Sequence, residues 1–182
     1  MNLGTIFLLI GPKGSGKSHI GSVFESKFGI KFVRVENWAM EIKKDRTVDN
    51  DDYIREVFDV IEEGIREEVS THKSLVFEST GLSSHFDQLL KNLYTDFHIV
   101  TIKVHADNNL CLQRIKLRDQ SMHVNVSDEH VEKINRMIVD KAIPTDFSID
   151  NNDDASLSLE TQIRSILMDK DQVLAKRISN LQ

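Results

Sequence analysis

Cysteine is nearly absent from this chain: Cys111 stands alone among 182 residues. An intrachain disulfide and a cysteine-based metal cluster are therefore excluded, and Cys111 reads as a small buried apolar residue. Proline is almost as scarce, at Pro12 and Pro144 only, and no repeat or low-complexity segment interrupts the chain. Positive charge is not in excess either. Lys and Arg number 23 against 29 Asp and Glu, a net charge of −6. Such a balance disfavours long nucleic acid as a partner, although it stays compatible with one local basic groove. The apolar run near the start, "TIFLLIG", is too short to span a bilayer and lacks the basic flank of a secretory signal. The expectation is a cytoplasmic protein with no membrane partner. Seven histidines are scattered without an HExxH or other paired spacing, so they suggest no zinc site.

What is present is ordinary for a globular protein: 40% apolar and 29% charged residues, enough for one sizeable core and a single domain over 1–182. Short apolar runs alternate with longer amphipathic segments. Residues 5–10, 30–35, 74–77, 97–104 and 147–150 read as strands. Between them, helical spacing recurs in Ile20, Val23, Phe24 and Phe28, then in Ile54, Val57, Phe58, Ile61 and Ile65. Further helices are expected over 83–95, from Asp107 to about Asp119, after the capping-box-like "SDEH" at 127–130, and around Leu159, Ile163, Ile166 and Leu167. The helix after 127 should bury Val131, Ile134, Met137 and Ile138. Strand–helix alternation throughout predicts a three-layer α/β domain, a five-stranded parallel sheet with helices on both faces.

The first strand runs into Gly11-Pro12-Lys13-Gly14-Ser15-Gly16-Lys17-Ser18. This is G-x-x-x-x-G-K-S, the Walker A pattern, in the strand–turn–helix setting that it requires. Glycines let backbone N–H groups turn inward around a phosphate chain, and the helix start adds its positive dipole end. Lys17 is suited to the β- and γ-phosphates, and the Ser18 hydroxyl to Mg²⁺. His19, directly after the loop, joins Gly11–Ser18 among the expected nucleotide-binding residues. ATP with Mg²⁺ is the expected ligand pair.

With that loop, the order of elements resembles the small P-loop kinases: adenylate kinase and other nucleoside monophosphate kinases, shikimate kinase and gluconate kinase. The resemblance implies the P-loop NTPase fold with a short lid, at about 119–127. In "LVFESTG" (75–81), it assigns Glu78 to the metal, with Ser79, Thr80 and Gly81 lining the acceptor side. In "CLQRIKLRDQ" (111–120), Arg114 and Arg118 lie four apart and resemble the start of a lid, one arginine stacking on the base and the other touching phosphates. Arg136 resembles a returning lid arginine. In "KFVRVENWAM" (31–40), Glu36 falls where the shikimate and gluconate kinases place an acid on the acceptor hydroxyl.

Departures narrow the resemblance. No arginine follows Glu78 near Leu82–Ser84 to grip an acceptor phosphate, Arg34 stands where a second acid would be, and the glycine triplet of shikimate kinases is missing. The lid has no cysteines and cannot hold zinc. The implied activity is ATP-dependent phosphotransfer to a small-molecule or nucleotide acceptor. Three alternatives remain open at this stage: a polynucleotide 5′-kinase or nucleotide kinase, a toxin-like kinase acting on a sugar nucleotide, and a nucleotide-binding regulator without transfer. The sequence carries no signal for an oligomeric state.

Overall fold

The computed structural model describes residues 3–43, 51–117, 127–152 and 156–179. Five strands form one sheet: β1 (Thr5–Ile10), β2 (Lys31–Val33), β3 (Ser74–Ser79), β4 (His98–His105) and β5 (Phe147–Asp150), in the order β2-β3-β1-β4-β5. Every pairing is parallel. This is the three-layer α/β fold expected of a P-loop kinase. The helices are α1 (Lys17–Phe28), α2 (Val35–Lys43), α3 (Asp51–His72), α4 (Ser84–Asp96), α5 (Asn108–Leu117), α6 (Asp128–Lys141) and α7 (Ser156–Ser179).

Strand β1 is apolar from Ile6 to Ile10 because both of its faces are covered there. Ile6, Leu8 and Ile10 join Ile61, Ile65 and Val69 of α3 and Phe86, Leu89 and Leu93 of α4 in one core layer. Phe7 and Leu9 point the other way, into a layer with Ile20 and Phe24 of α1 and Leu159, Ile163 and Ile166 of α7. Side chains alternate across a strand, so one six-residue strand feeds two cores. The register brings the C-terminal ends of β1 and β3 together, with Leu9 opposite Glu78 and Ile10 opposite Ser79. Open parallel sheets bind ligands at that edge.

Two expectations need correction. The second strand, expected over 30–35, ends at Val33, and Val35 already begins α2. The apolar residues Val35, Trp38, Ala39 and Ile42 recur at helical spacing and pack against the α3 layer, which outweighs continuing an edge strand. Glu36 therefore sits in the first turn of a helix rather than at a strand end. On α6, Met137 is exposed, whereas Asn135 is buried with Val131 and Ile138. The inward face of α6 is defined by contact with the glycine loop, which offers polar backbone groups. Arg118 and the expected lid, apart from Ser127, lie outside the described residues. Ser127 caps α6 as expected, its hydroxyl accepting from the His130 N–H.

Candidate active site

The turn from β1 to α1 closes on positive φ angles at Gly14 and Gly16, +83° and +92°. Side chains there would also collide with fixed neighbours: a Cβ on Gly14 meets the Cys111 backbone carbonyl, and one on Gly16 meets the Asn151 amide. Glycine is required at both for shape and for space.

Lys17, the first residue of α1, is buried. Its ammonium donates to the carbonyls of Gly11 (2.9 Å) and Pro12 (2.8 Å), so the loop curls around its own lysine. Burial pushes its pKa below the ordinary lysine value; the nearby Glu78 carboxylate opposes that shift and Lys13 adds to it. A desolvated cation with only two carbonyl acceptors suits a polyanionic ligand. Beside it the Ser18 hydroxyl donates to Glu78 Oε1 at 2.6 Å. The two expected metal-side residues thus meet, although 60 positions separate them.

A cleft of about 270 Å³ gathers Lys13, Gly14, Gly16, Lys17, Ser18, Glu36, Glu78, Ser79, Thr80 and Arg114. The glycine loop and the residues expected on the metal and acceptor sides therefore share one space. Glu36 is exposed at its mouth. Arg114 is half-buried and donates to the Asn151 carbonyl at 2.9 Å, tying α5 to the end of β5. Arg34 is turned away: its guanidinium lies 4.7 Å from the Phe32 ring centroid and reaches Ser22 on α1. His19 is exposed in the first turn of α1. Arg136 is exposed and lines a separate pocket of about 510 Å³ beside Pro12, between the end of β4, α5 and α6. Arg118 falls outside the described residues.

Sequence reasoning missed two residues that grip the loop from outside. Asn135 accepts from the Lys13 N–H (2.8 Å) and donates to the Lys13 carbonyl (3.1 Å). Asn151 donates to the Ser15 carbonyl at 2.8 Å. Asn135 left a signal, a polar residue on a helix face otherwise apolar at 131 and 138. Asn151 left none, because asparagine after a strand reads as a turn.

Comparison with known proteins bears on the fold. The protein is similar in structure to shikimate kinase from Acinetobacter baumannii, solved in complex with shikimate, with a TM-score of 0.63 and 20% identity over 91% of this chain and 93% of that one. A gluconokinase from Sinorhizobium meliloti gives a TM-score of 0.64 at 14% identity, over 99% of each chain. An APS kinase from Mycobacterium tuberculosis, in complex with AMPPNP and APS, gives 0.59 at 12%, over 89% of this chain and 96% of that one. At such identities the likeness establishes the fold. No curated protein matches the chain in sequence. No described helix is long and apolar enough to cross a membrane. A family model described as an AAA domain matches residues 6–139, from β1 through the loop and into α6, and the chain belongs to that family.

Proposed function

We propose that the protein is an ATP-dependent phosphotransferase, moving the terminal phosphate of ATP to a hydroxyl of a small-molecule or nucleotide acceptor. One observation carries the reading: the buried Lys17 ammonium, the Ser18–Glu78 pair and the exposed Glu36 open into a single cleft. Beside the loop, the same cleft is lined by Ser79, Thr80 and Glu36, hydroxyl and carboxylate groups suited to a polar acceptor.

The donor set fits the implied ligands. The loop N–H groups and Lys17 would bind the phosphate chain, and Ser18 with Glu78 would hold Mg²⁺, one hydroxyl and one carboxylate being the sparse set that a largely hydrated ion accepts. When bound, Mg²⁺ neutralises charge on the phosphate oxygens. In the transfer, the acceptor oxygen bonds to the γ-phosphorus, the bond to the β–γ bridging oxygen breaks and ADP leaves. Glu36 takes the hydroxyl proton or orients it. Lys17 and the lid residue Arg118 stabilise the charge spread over the transferred group, with Arg136 as a third cation beside Pro12 and Arg114 on the base side. Such a reaction depends on positioning and charge rather than on covalent chemistry. The cell compartment that fits the reading is the cytoplasm.

The test is a transfer screen with ATP and Mg²⁺ against sugars, amino alcohols, nucleoside monophosphates, sugar nucleotides and 5′-hydroxyl oligonucleotides, scored by ADP release above the no-acceptor rate. One responsive acceptor class is the expected result. Tight ATP binding with no acceptor-dependent release in any class would favour a nucleotide-binding regulator.

A further inference from the structure

The phosphate loop is held from two sides by asparagines that lie far away in sequence. Asn151 follows β5 and takes the carbonyl of Ser15; it is 6% exposed. Asn135 lies two turns into α6 and takes both the N–H and the carbonyl of Lys13; it is 4% exposed. An asparagine side chain offers one acceptor and two donors, so a single residue satisfies both groups of one peptide neighbour. The two attachments differ in place. Ser15 stands just before α1, at the helix end of the loop. Lys13 follows Gly11 and Pro12, whose carbonyls hold the Lys17 ammonium. In a loop of this pattern that ammonium marks the β/γ-phosphate position. Asn135 therefore braces the loop where a triphosphate differs from a diphosphate.

We propose that Asn135 is a positioning residue that fixes the Lys13 peptide at the γ-phosphate end and thereby favours nucleoside triphosphate over diphosphate. The inference rests on the nucleotide-binding half of the reading above, not on transfer to any acceptor. Asn135 need not touch the nucleotide. It holds in place the backbone turn beside Lys17, and it keeps the inward N–H groups of the following residues aimed at the phosphates. Without it, the Lys13 N–H and carbonyl lose their partners, and the turn is free to rotate or to recruit water. The cost falls on the ligand that uses that end.

Calorimetric titration of a non-hydrolysable ATP analogue and of ADP, each with Mg²⁺, tests this without an acceptor. Asn135→Leu keeps the approximate shape and removes both hydrogen bonds. The analogue is expected to bind about tenfold more weakly or worse, as loss of partners for two backbone groups implies; ADP binding should change less than about threefold. Asn135→Asp keeps the acceptor for the Lys13 N–H, loses the donor and adds negative charge, so its discrimination against the analogue should be at least as large. It also serves where the leucine variant fails to fold. Asn151→Leu, at the other end of the loop, should weaken both nucleotides alike. Equal losses for analogue and ADP in both Asn135 variants, or unchanged affinities at a normal melting temperature, would overturn the proposal. A wild-type protein that binds neither nucleotide would remove the phosphotransferase reading as well; binding without transfer in the acceptor screen would remove that reading alone.

Discussion

Along the glycine loop, partners are fixed: the Lys17 ammonium lies on the carbonyls of Gly11 and Pro12, Asn135 takes both groups of Lys13, and Asn151 takes the carbonyl of Ser15. The other end of the same cleft is built differently. Glu36 is exposed in the first turn of α2, a helix that packs on α3 through the Trp38 indole against Gly64, with the Tyr53 hydroxyl donating to the Ala39 carbonyl at 2.9 Å. Several side-chain hydrogen bonds to backbone hold the nucleotide end. Beside the Tyr53–Ala39 bond, α2 rests on helix packing, which volume-conserving substitutions can rebuild. A phosphate chain is the same in every reaction of this type, whereas an acceptor differs from one to the next. On the proposed reading, the rigid half would serve the constant ligand and the adjustable half the variable one.

Substitutions at the loop should therefore have the largest effects. Lys17→Ala removes the ammonium that lies on the Gly11 and Pro12 carbonyls. Turnover should fall by roughly 10³-fold, the loss seen when a preorganised donor to developing charge is deleted, and ATP affinity should weaken by about 1.5–3 kcal/mol. Because the lysine is desolvated in the free protein, the melting temperature should hold or rise slightly. Full activity at unchanged affinity would break the comparison at its rigid end.

Glu78→Gln comes next. It keeps the volume and leaves the Ser18 hydroxyl an oxygen to donate to, but it removes the charge facing the metal. The Mg²⁺ requirement should move to higher concentration, and turnover at saturating metal should fall by roughly 10²-fold if about 3 kcal/mol of transition-state stabilisation is lost. Nucleotide binding in the absence of metal should improve, since a carboxylate no longer faces the phosphates. A rate-against-Mg²⁺ titration beside a melting curve separates this from a structural role, in which only the melting temperature moves.

The adjustable half is probed by Gly64→Ala. A methyl group there would stand 2.5 Å from the nearest Trp38 ring atom, so the indole and α2 must shift. Overpacking costs about 1–3 kcal/mol, and the better helix propensity of alanine returns up to about 1 kcal/mol. The expected signature is a KM for the acceptor raised about tenfold, with nucleotide affinity changed by less than about twofold. Equal losses of both would show that the two ends are mechanically one.

The same division decided what was legible in the sequence. The loop with its lysine and serine obeys a local rule, residue types at fixed offsets from a strand, so Lys17 and Ser18 were legible directly, whereas Glu78 was assigned by resemblance to the small P-loop kinases. The parallel sheet was legible because β1 is buried on both faces from Ile6 to Ile10 and must be apolar there. The strand was carried two residues too far, to Val35, because Phe32, Val33 and Val35 form an apolar run, and α2 was missed because only Trp38, Ala39 and Ile42 beyond it carry the helical spacing. Asn151 was invisible, and Asn135 showed only as a polar residue on an apolar helix face, for a different reason. Their partners are backbone groups 122 and 136 positions away, and backbone groups leave no mark on a sequence.

The smallest expected effect concerns the proton on Lys17. Burial lowers its pKa in the free protein, with the Glu78 carboxylate opposing and Lys13 assisting. An unfolded chain solvates this amine and binds its proton more tightly, so between the lowered value and the ordinary one the unfolded state carries more protons and stability of the free protein rises with pH. A bound triphosphate reverses the sign locally, because its negative charge favours the ammonium and raises the pKa again. Over the same window, below the ordinary lysine value, binding should take up a fraction of a proton and affinity should weaken as pH rises. Titrations in two buffers of different ionisation enthalpy measure that uptake directly, and Lys17→Met should abolish it while other groups continue to titrate. If uptake is zero across the window and affinity is flat, the ammonium keeps its proton in the free loop. The carbonyls of Gly11 and Pro12 would then outweigh desolvation, and the loop would be preorganised in charge as well as in shape.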